Sequence, residues 1–272
     1  MTELSTSRPV PVVLLHGITD DGHCWPGVVA HLRAAGDGRQ VLTPSALWHG
    51  GRTGEGRTSL TISALATDAA ATIAASLDRP AVVVGHSMGG VTAEELALLA
   101  PELVAALVLV DPAWVGDDPA DGGAAPAWLR EFAGSFERAP QAGLEQWSRS
   151  QNPGWPDDEH EPWAASKKAL DLEITRVPHH WGEREWPKAL AGLVDARIPV
   201  TLVTGDTAAG AIVDEAMAAA AGAALGRSGE DEGGLLTHVA LAATGHNIHR
   251  DDRPGFLRVL DDAIARADAA AL

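Results

Sequence analysis

The chain has 272 residues, 46% of them hydrophobic and 21% charged, with a formal net charge of −17. That length suits one large domain, or a core with an insertion. The charge opposes nucleic-acid binding, because a phosphate backbone would be repelled, and the single cysteine, Cys24, excludes an internal disulfide and a zinc-type cysteine cluster. Met1–Pro11 lacks the basic-then-apolar layout of a secretory signal, and no apolar run reaches membrane-spanning length. The expectation is therefore a soluble, cytoplasmic protein without nucleic-acid or membrane partners.

Taken in order, Val10–Leu15 reads as a buried strand that runs into His16-Gly17-Ile18-Thr19-Asp20-Asp21-Gly22. A helix is expected from about Trp25 to Ala35 and a short strand over Gln40–Thr43. Residues 44–58, rich in Gly, Ser and Thr, read as a loop. An Ala-rich helix over Leu60–Leu77 should be capped by Ser59 or Thr58. Ala81–Val84 is a strand, Val91–Ala100 a helix, and Ala106–Val110 a strand ending at Asp111-Pro112. From 113 to 191 the pattern changes: a flexible-looking connector over 115–126 precedes short helical stretches carrying Trp128, Trp147, Trp155, Trp163, Trp181 and Trp186. Strand character returns at Pro199–Asp206, then a helix over 212–225, an acidic Gly-rich loop over 227–234, a last strand over 235–242 and a closing helix over 252–267. Strands alternating with helices imply a doubly wound, mostly parallel α/β sheet with helices on both faces. The predicted organisation is a core formed by 1–112 and 192–272, with 113–191 inserted as a helical cap.

The stretch that organises the rest is Gly85-His86-Ser87-Met88-Gly89, a sharp turn between strand and helix with serine at its apex. This is the G-x-S-x-G nucleophile elbow. Ser87 must adopt a strained backbone for its hydroxyl to stand above the sheet, and residues two before and two after must lack side chains. The plain alternative is a Gly-rich turn with a solvent-facing serine. A serine hydroxyl needs a base, and His246, in a Gly-His-Asn context after the final strand, is the leading candidate. A tetrahedral intermediate needs two oxyanion donors: the N–H of Met88, and that of Ile18 after the first strand. The other histidines are read as structural or surface residues, and His179-His180 lacks acidic residues at a metal-supporting spacing.

Together, His16-Gly17, Gly-His-Ser-Met-Gly-Gly at 85–90, the Asp after the next strand and Gly-His-Asn at 245–247 resemble the α/β-hydrolase superfamily. The resemblance covers roughly 10–112 and 196–268 and implies a Ser-acid-His triad in that chain order. The commonest place for the acid in that family is occupied here by Ala208 in Gly205-Asp206-Thr207-Ala208, with Asp206 two residues early. Asp111, at the end of the strand after the nucleophile, matches where haloalkane dehalogenases and zearalenone lactonases place theirs. Asp111 is preferred, Asp206 is the alternative, and Asp214 a third candidate. Serine at the elbow, rather than aspartate, argues for acyl transfer without metal or organic cofactor. The reading is thus a serine hydrolase acting on an ester or lactone of an apolar or aromatic small molecule, with Trp114 as the substrate contact and Trp25 beside it. The alternatives are a C–C bond hydrolase on a ring-cleavage product, for which Arg130, Arg149 and Lys167 are scattered cationic candidates, and a non-catalytic ligand-binding protein. Asp20 and Asp21 are expected to be solvated or helix-capping.

Overall fold

The computed structural model describes residues 8–115, 124–181, 185–227 and 233–271, and its apolar strands, buried on both faces, form the middle layer. The strands are β1 (Val12–Leu15), β2 (Val41–Leu42), β3 (Leu60–Thr61), β4 (Ala81–His86), β5 (Val104–Val110), β6 (His179–His180), β7 (Val200–Thr204) and β8 (Leu236–Ala240). The helices are α1 (Pro26–Ala34), α2 (Ile62–Ser76), α3 (Met88–Leu99), α4 (Ala127–Arg138), α5 (Gln141–Gln151), α6 (Asp157–Lys168), α7 (Trp186–Ala196), α8 (Glu215–Leu225), α9 (Ile248–Asp251) and α10 (Arg253–Ala270). Six strands form one sheet in the order β2-β1-β4-β5-β7-β8, and every ladder between them is parallel.

Because successive strand side chains point to opposite faces, Val12, Leu14, Val82, Val84, Val108 and Val110 pack on one side with α1 and α10. Val13, Leu15, Val83, Leu107, Leu109 and Leu202 pack on the other with α2, α3, α7 and α8. The chain runs outward from β1 to β2 and then crosses back to β4, so the strand order reverses between β1 and β4. Crevices at the carboxyl ends of strands flanking such a reversal are where open α/β sheets bind ligands. The Ile18 turn leaves β1 there and the Ser87 turn leaves β4. The doubly wound parallel sheet expected from sequence is the observed fold.

Local differences have physical causes. The helix expected to start at Leu60 starts at Ile62, and Thr61, not Ser59 or Thr58, caps it by accepting the Ala64 N–H at 3.0 Å. Leu60–Thr61 is instead drawn into an extended pairing with His179–His180, a partner far away in sequence. The elbow helix begins at Met88, directly after the serine. α7 packs against α3 and α8, so helical packing on the core resumes at Trp186 rather than at 192. The segment between β5 and α7 carries α4, α5 and α6, with a small cluster of its own around Phe136, Leu144, Trp155 and Trp163. Most of the predicted connector (116–123) and of the acidic loop (228–232) lies outside the described residues. Among the described residues no helix is long and apolar enough to cross a membrane.

Candidate active site

Ser87 sits between β4 and α3 at φ 54°, ψ −118°, a left-handed conformation that a non-glycine residue adopts only when its surroundings impose it. The flanking glycines explain how. A Cβ at Gly85 would fall 2.1 Å from the Gly89 carbonyl oxygen, and one at Gly89 would fall 2.2 Å from the Leu15 carbonyl oxygen. The turn therefore closes on itself and against the end of β1, and the strain at Ser87 is held by packing.

At the end of the neighbouring strand, Asp111 also has a positive φ, 41°, and is fully buried. Its Oδ2 accepts the His246 Nδ1–H at 2.6 Å and the Ile212 N–H at 2.9 Å, while Oδ1 accepts the Val213 N–H at 2.9 Å. A carboxylate receiving three donors in the interior is oriented and charge-stabilised. With Nδ1 donating, the neutral imidazole of His246 carries its lone pair on Nε2. Its ring is partly exposed, and it lines the same cavity as Ser87. The other two acid candidates are engaged locally: Asp206 is exposed and accepts the Ala208 N–H, and Asp214 is exposed and caps α8 through the Met217 N–H.

The turn after β1 is tightly braced. His16 is buried, and its Nδ1–H donates to the Gly17 carbonyl at 2.8 Å while its Nε2 accepts the Ala46 N–H at 3.0 Å. Burial, with His49 adding to it, pushes the His16 pKa down to about 3, so the ring stays neutral in that tautomer. The Gly17 carbonyl also accepts the Asp20 N–H at 3.0 Å. Carbonyl and following N–H point oppositely across one planar peptide, so the Ile18 N–H is aimed away from those donors. Met88 opens α3, and its N–H has no carbonyl within the helix to bond. His86 donates Nε2–H to the His246 carbonyl at 2.9 Å, and burial, then the neighbouring His246, hold its pKa well below the ordinary histidine value.

The cavity above this edge has a volume of about 770 Å³. Trp128, Trp147, Trp155, Trp163 and Trp181 line it, five of the six tryptophans counted in the inserted segment from sequence. The expectations for Trp114, Trp25 and the Asp20–Asp21 pair need correction. Trp114 does not line the cavity: its ring is buried in the core, stacked on Trp186 at 4.3 Å, and its Nε1–H donates to Glu94 at 2.9 Å. Trp25 is likewise turned into the core, against His249. Val115 reaches the cavity while its neighbour Trp114 turns into the core. Asp20 and Asp21, expected to be solvated or helix-capping, are both buried, and α1 has no side-chain cap. Sequence reasoning gave no ion-pair role to Asp20, Glu159 or Arg250; an Asp after the Gly17-Ile18 turn and an Arg four residues beyond His246 were the available signals. His179, weighed as a metal ligand, donates Nε2–H to the Ile174 carbonyl, and no group of three or more potential ligands occurs among the described residues.

Residues 12–259 match the sequence model of the alpha/beta hydrolase family. The chain belongs to the α/β-hydrolase family. This α/β-hydrolase is 39% identical over 107 residues to Lipase LipV of Mycobacterium tuberculosis, a stretch covering 39% of this chain and 39% of the lipase. It thus spans about two fifths of the length of that relative. Among solved structures, the peroxisomal alpha-beta-hydrolase Lpx1 of Saccharomyces cerevisiae superposes with a TM-score of 0.69 at 15% identity, covering 98% of this chain and 80% of that one. The esterase RhEst1 of Rhodococcus sp. ECU1013 gives 0.66 at 20% identity, covering 94% and 90%. At such identities the likeness is one of fold.

Proposed function

We propose that this α/β-hydrolase is a serine hydrolase that cleaves a carboxylic ester or lactone of an uncharged apolar or aromatic small molecule through an acyl-enzyme, without a cofactor. The observation that carries this reading is the 2.6 Å hydrogen bond from His246 Nδ1–H to the buried Asp111, beside a serine held at φ 54°. Ser87 Oγ attacks the acyl carbon as His246 Nε2 takes its proton, and the N–H groups of Ile18 and Met88 receive the oxyanion. His246 returns that proton to the leaving alkoxide, which departs as an alcohol from an ester or stays tethered to the acyl group as a hydroxyl from a lactone. Water then attacks the acyl-enzyme, delivering its proton to His246, and the acid leaves as Ser87 is re-protonated. Asp111 holds the imidazole tautomer and stabilises the imidazolium in both halves.

The wall supports an uncharged substrate. Arg250, the cation that lines the cavity among the described residues, is engaged by Asp20, Glu159, Asn247 and the Cys24 carbonyl. Arg130, Arg149 and Lys167 are likewise engaged by their own neighbours. Among the described residues, a ring-cleavage product bearing carboxylates would find no unengaged counter-ion on this wall, whereas indole faces favour apolar and aromatic groups. In this reading the inserted helices act as a cap that admits substrate, and a cytoplasmic location accords with the single, buried Cys24.

A fluorophosphonate probe tests the reading. Wild type is expected to be labelled at one site and Ser87→Ala to be unlabelled; absence of labelling in wild type would overturn it. A screen of aryl esters, alkyl esters and lactones then ranks the substrates.

A further inference from the structure

A buried ionic cluster joins three parts of the chain that meet at the cavity floor. Lys167, near the end of α6, has a fully buried side chain. Its three ammonium N–H groups are all used, on the Thr19 carbonyl at 2.8 Å, Asp20 Oδ1 at 2.6 Å and Ser166 Oγ at 3.1 Å. The other oxygen of Asp20 accepts Arg250 Nη2–H at 2.8 Å, and Arg250 lies on α9, just beyond His246. Glu159, at the start of α6, accepts Arg250 Nε–H at 3.2 Å and Arg253 Nη2–H at 2.5 Å. Arg253 also pairs with Asp158, so three cations face three anions. Burial alone would raise the Asp20 pKa, but Arg250 and Lys167 hold it well below the usual carboxylate range.

The position of Lys167 has a consequence for the Ile18 N–H, through two rigid peptide planes in series. Lys167 holds the Thr19 carbonyl from one side. The Asp20 N–H shares that peptide plane and points the opposite way, where it donates to the Gly17 carbonyl at 3.0 Å. The Gly17 carbonyl in turn shares its plane with the Ile18 N–H. Fixing Thr19 therefore fixes the direction of the Ile18 donor, even though Lys167 touches neither the donor nor Ser87.

We propose that Lys167 is a positioning residue: from the inserted helix α6, and together with Asp20, it locks the turn after β1 so that the Ile18 N–H faces the developing oxyanion. This rests on the serine-hydrolase reading given above. A displaced donor weakens transition-state binding more than ground-state binding, so kcat should fall and KM should hold.

The experiment compares wild type, Lys167→Met and Asp20→Asn on an uncharged p-nitrophenyl ester, and measures binding of an aryl boronic acid and of the free carboxylic acid product. The boronic acid forms a bond from Ser87 Oγ to boron as the serine proton passes to His246, leaving a tetrahedral anion that needs the oxyanion donors. Lys167→Met is expected to lower kcat about 10- to 100-fold with KM within about twofold. Boronate affinity should fall in parallel while product affinity changes little. Asp20→Asn, which keeps the side-chain shape, should move the same quantities in the same direction and carries the test if Lys167→Met does not fold. A kcat within about twofold of wild type in the folded variants, or equal losses of boronate and product binding, would overturn the proposal. Wild type that neither hydrolyses the ester nor binds the boronate would overturn the serine-hydrolase reading, and this inference with it.

Discussion

The ends of β5 and β7 lie side by side at the same edge of the sheet, and each is followed by an aspartate that could serve His246. At the end of β5, Asp111 is 0% exposed and receives three hydrogen bonds. After β7, Asp206 is exposed and occupied with its own short turn. The β7 loop still takes part, but through its backbone: the amides of Ile212 and Val213 hold the Asp111 carboxylate. In the proposed triad the acid is the carboxylate that lies beneath the histidine and is furnished with donors there, and the neighbouring loop supplies donors instead of the acid.

The largest effect is expected at the nucleophile that either aspartate would serve through His246. Ser87→Ala should lower ester turnover on the order of 10⁴- to 10⁶-fold, read as kcat on a p-nitrophenyl ester. Asp111→Asn should lower kcat by about 10³- to 10⁴-fold because the imidazole loses its tautomer anchor, whereas Asp206→Asn should stay within about twofold. The opposite ranking would transfer the acid to the β7 loop.

The buried imidazoles behind this edge give a pH test. His16 is pushed from 6.5 down to about 3 by burial first and His49 second, and His86 is held well below 6.5 by burial and His246. Below about pH 6.5 the unfolded chain takes up protons that the folded chain refuses. Stability should therefore fall as pH falls, by about 1.4 kcal/mol per pH unit for each such histidine. Urea midpoints measured between pH 8 and 5 check this; a flat profile would mean these rings are protonated in the folded protein.

The smallest contrast separates wall from core. Trp128→Ala, at a cavity-lining residue, should raise KM by about 3- to 10-fold with kcat nearly unchanged. Trp114→Phe should leave KM alone and lower stability by about 1–2 kcal/mol, because it removes the donor to buried Glu94.

What was legible from sequence follows the range of the forces involved. The elbow is local: Gly85 and Gly89 are dictated by contacts within one turn and with the adjacent strand, so Ser87 could be read from five residues. The sheet is legible because its strands are short, nearly continuous apolar runs bounded by turn residues and separated by helical stretches. Sequence favours Asp111 without separating it from Asp206, because the amides of Ile212 and Val213 that hold it are about a hundred residues away. Proximity to Asp111 in sequence puts Trp114 near the pocket, but proximity does not say to which side a side chain turns. β3 and β6 are two residues each, and only their mutual pairing makes them strands. The Lys167–Asp20–Arg250 cluster joins three distant segments, and each member alone reads as a surface charge.

The most direct test of the central claim is to quench the wild-type enzyme within its first turnover of a p-nitrophenyl ester and map the covalent product by mass spectrometry. One acyl group on the peptide containing Ser87, formed in step with a stoichiometric burst of p-nitrophenol and absent in Ser87→Ala, is the predicted result. Sustained hydrolysis by Ser87→Ala at the wild-type rate, or an acyl group carried by another residue, would contradict it.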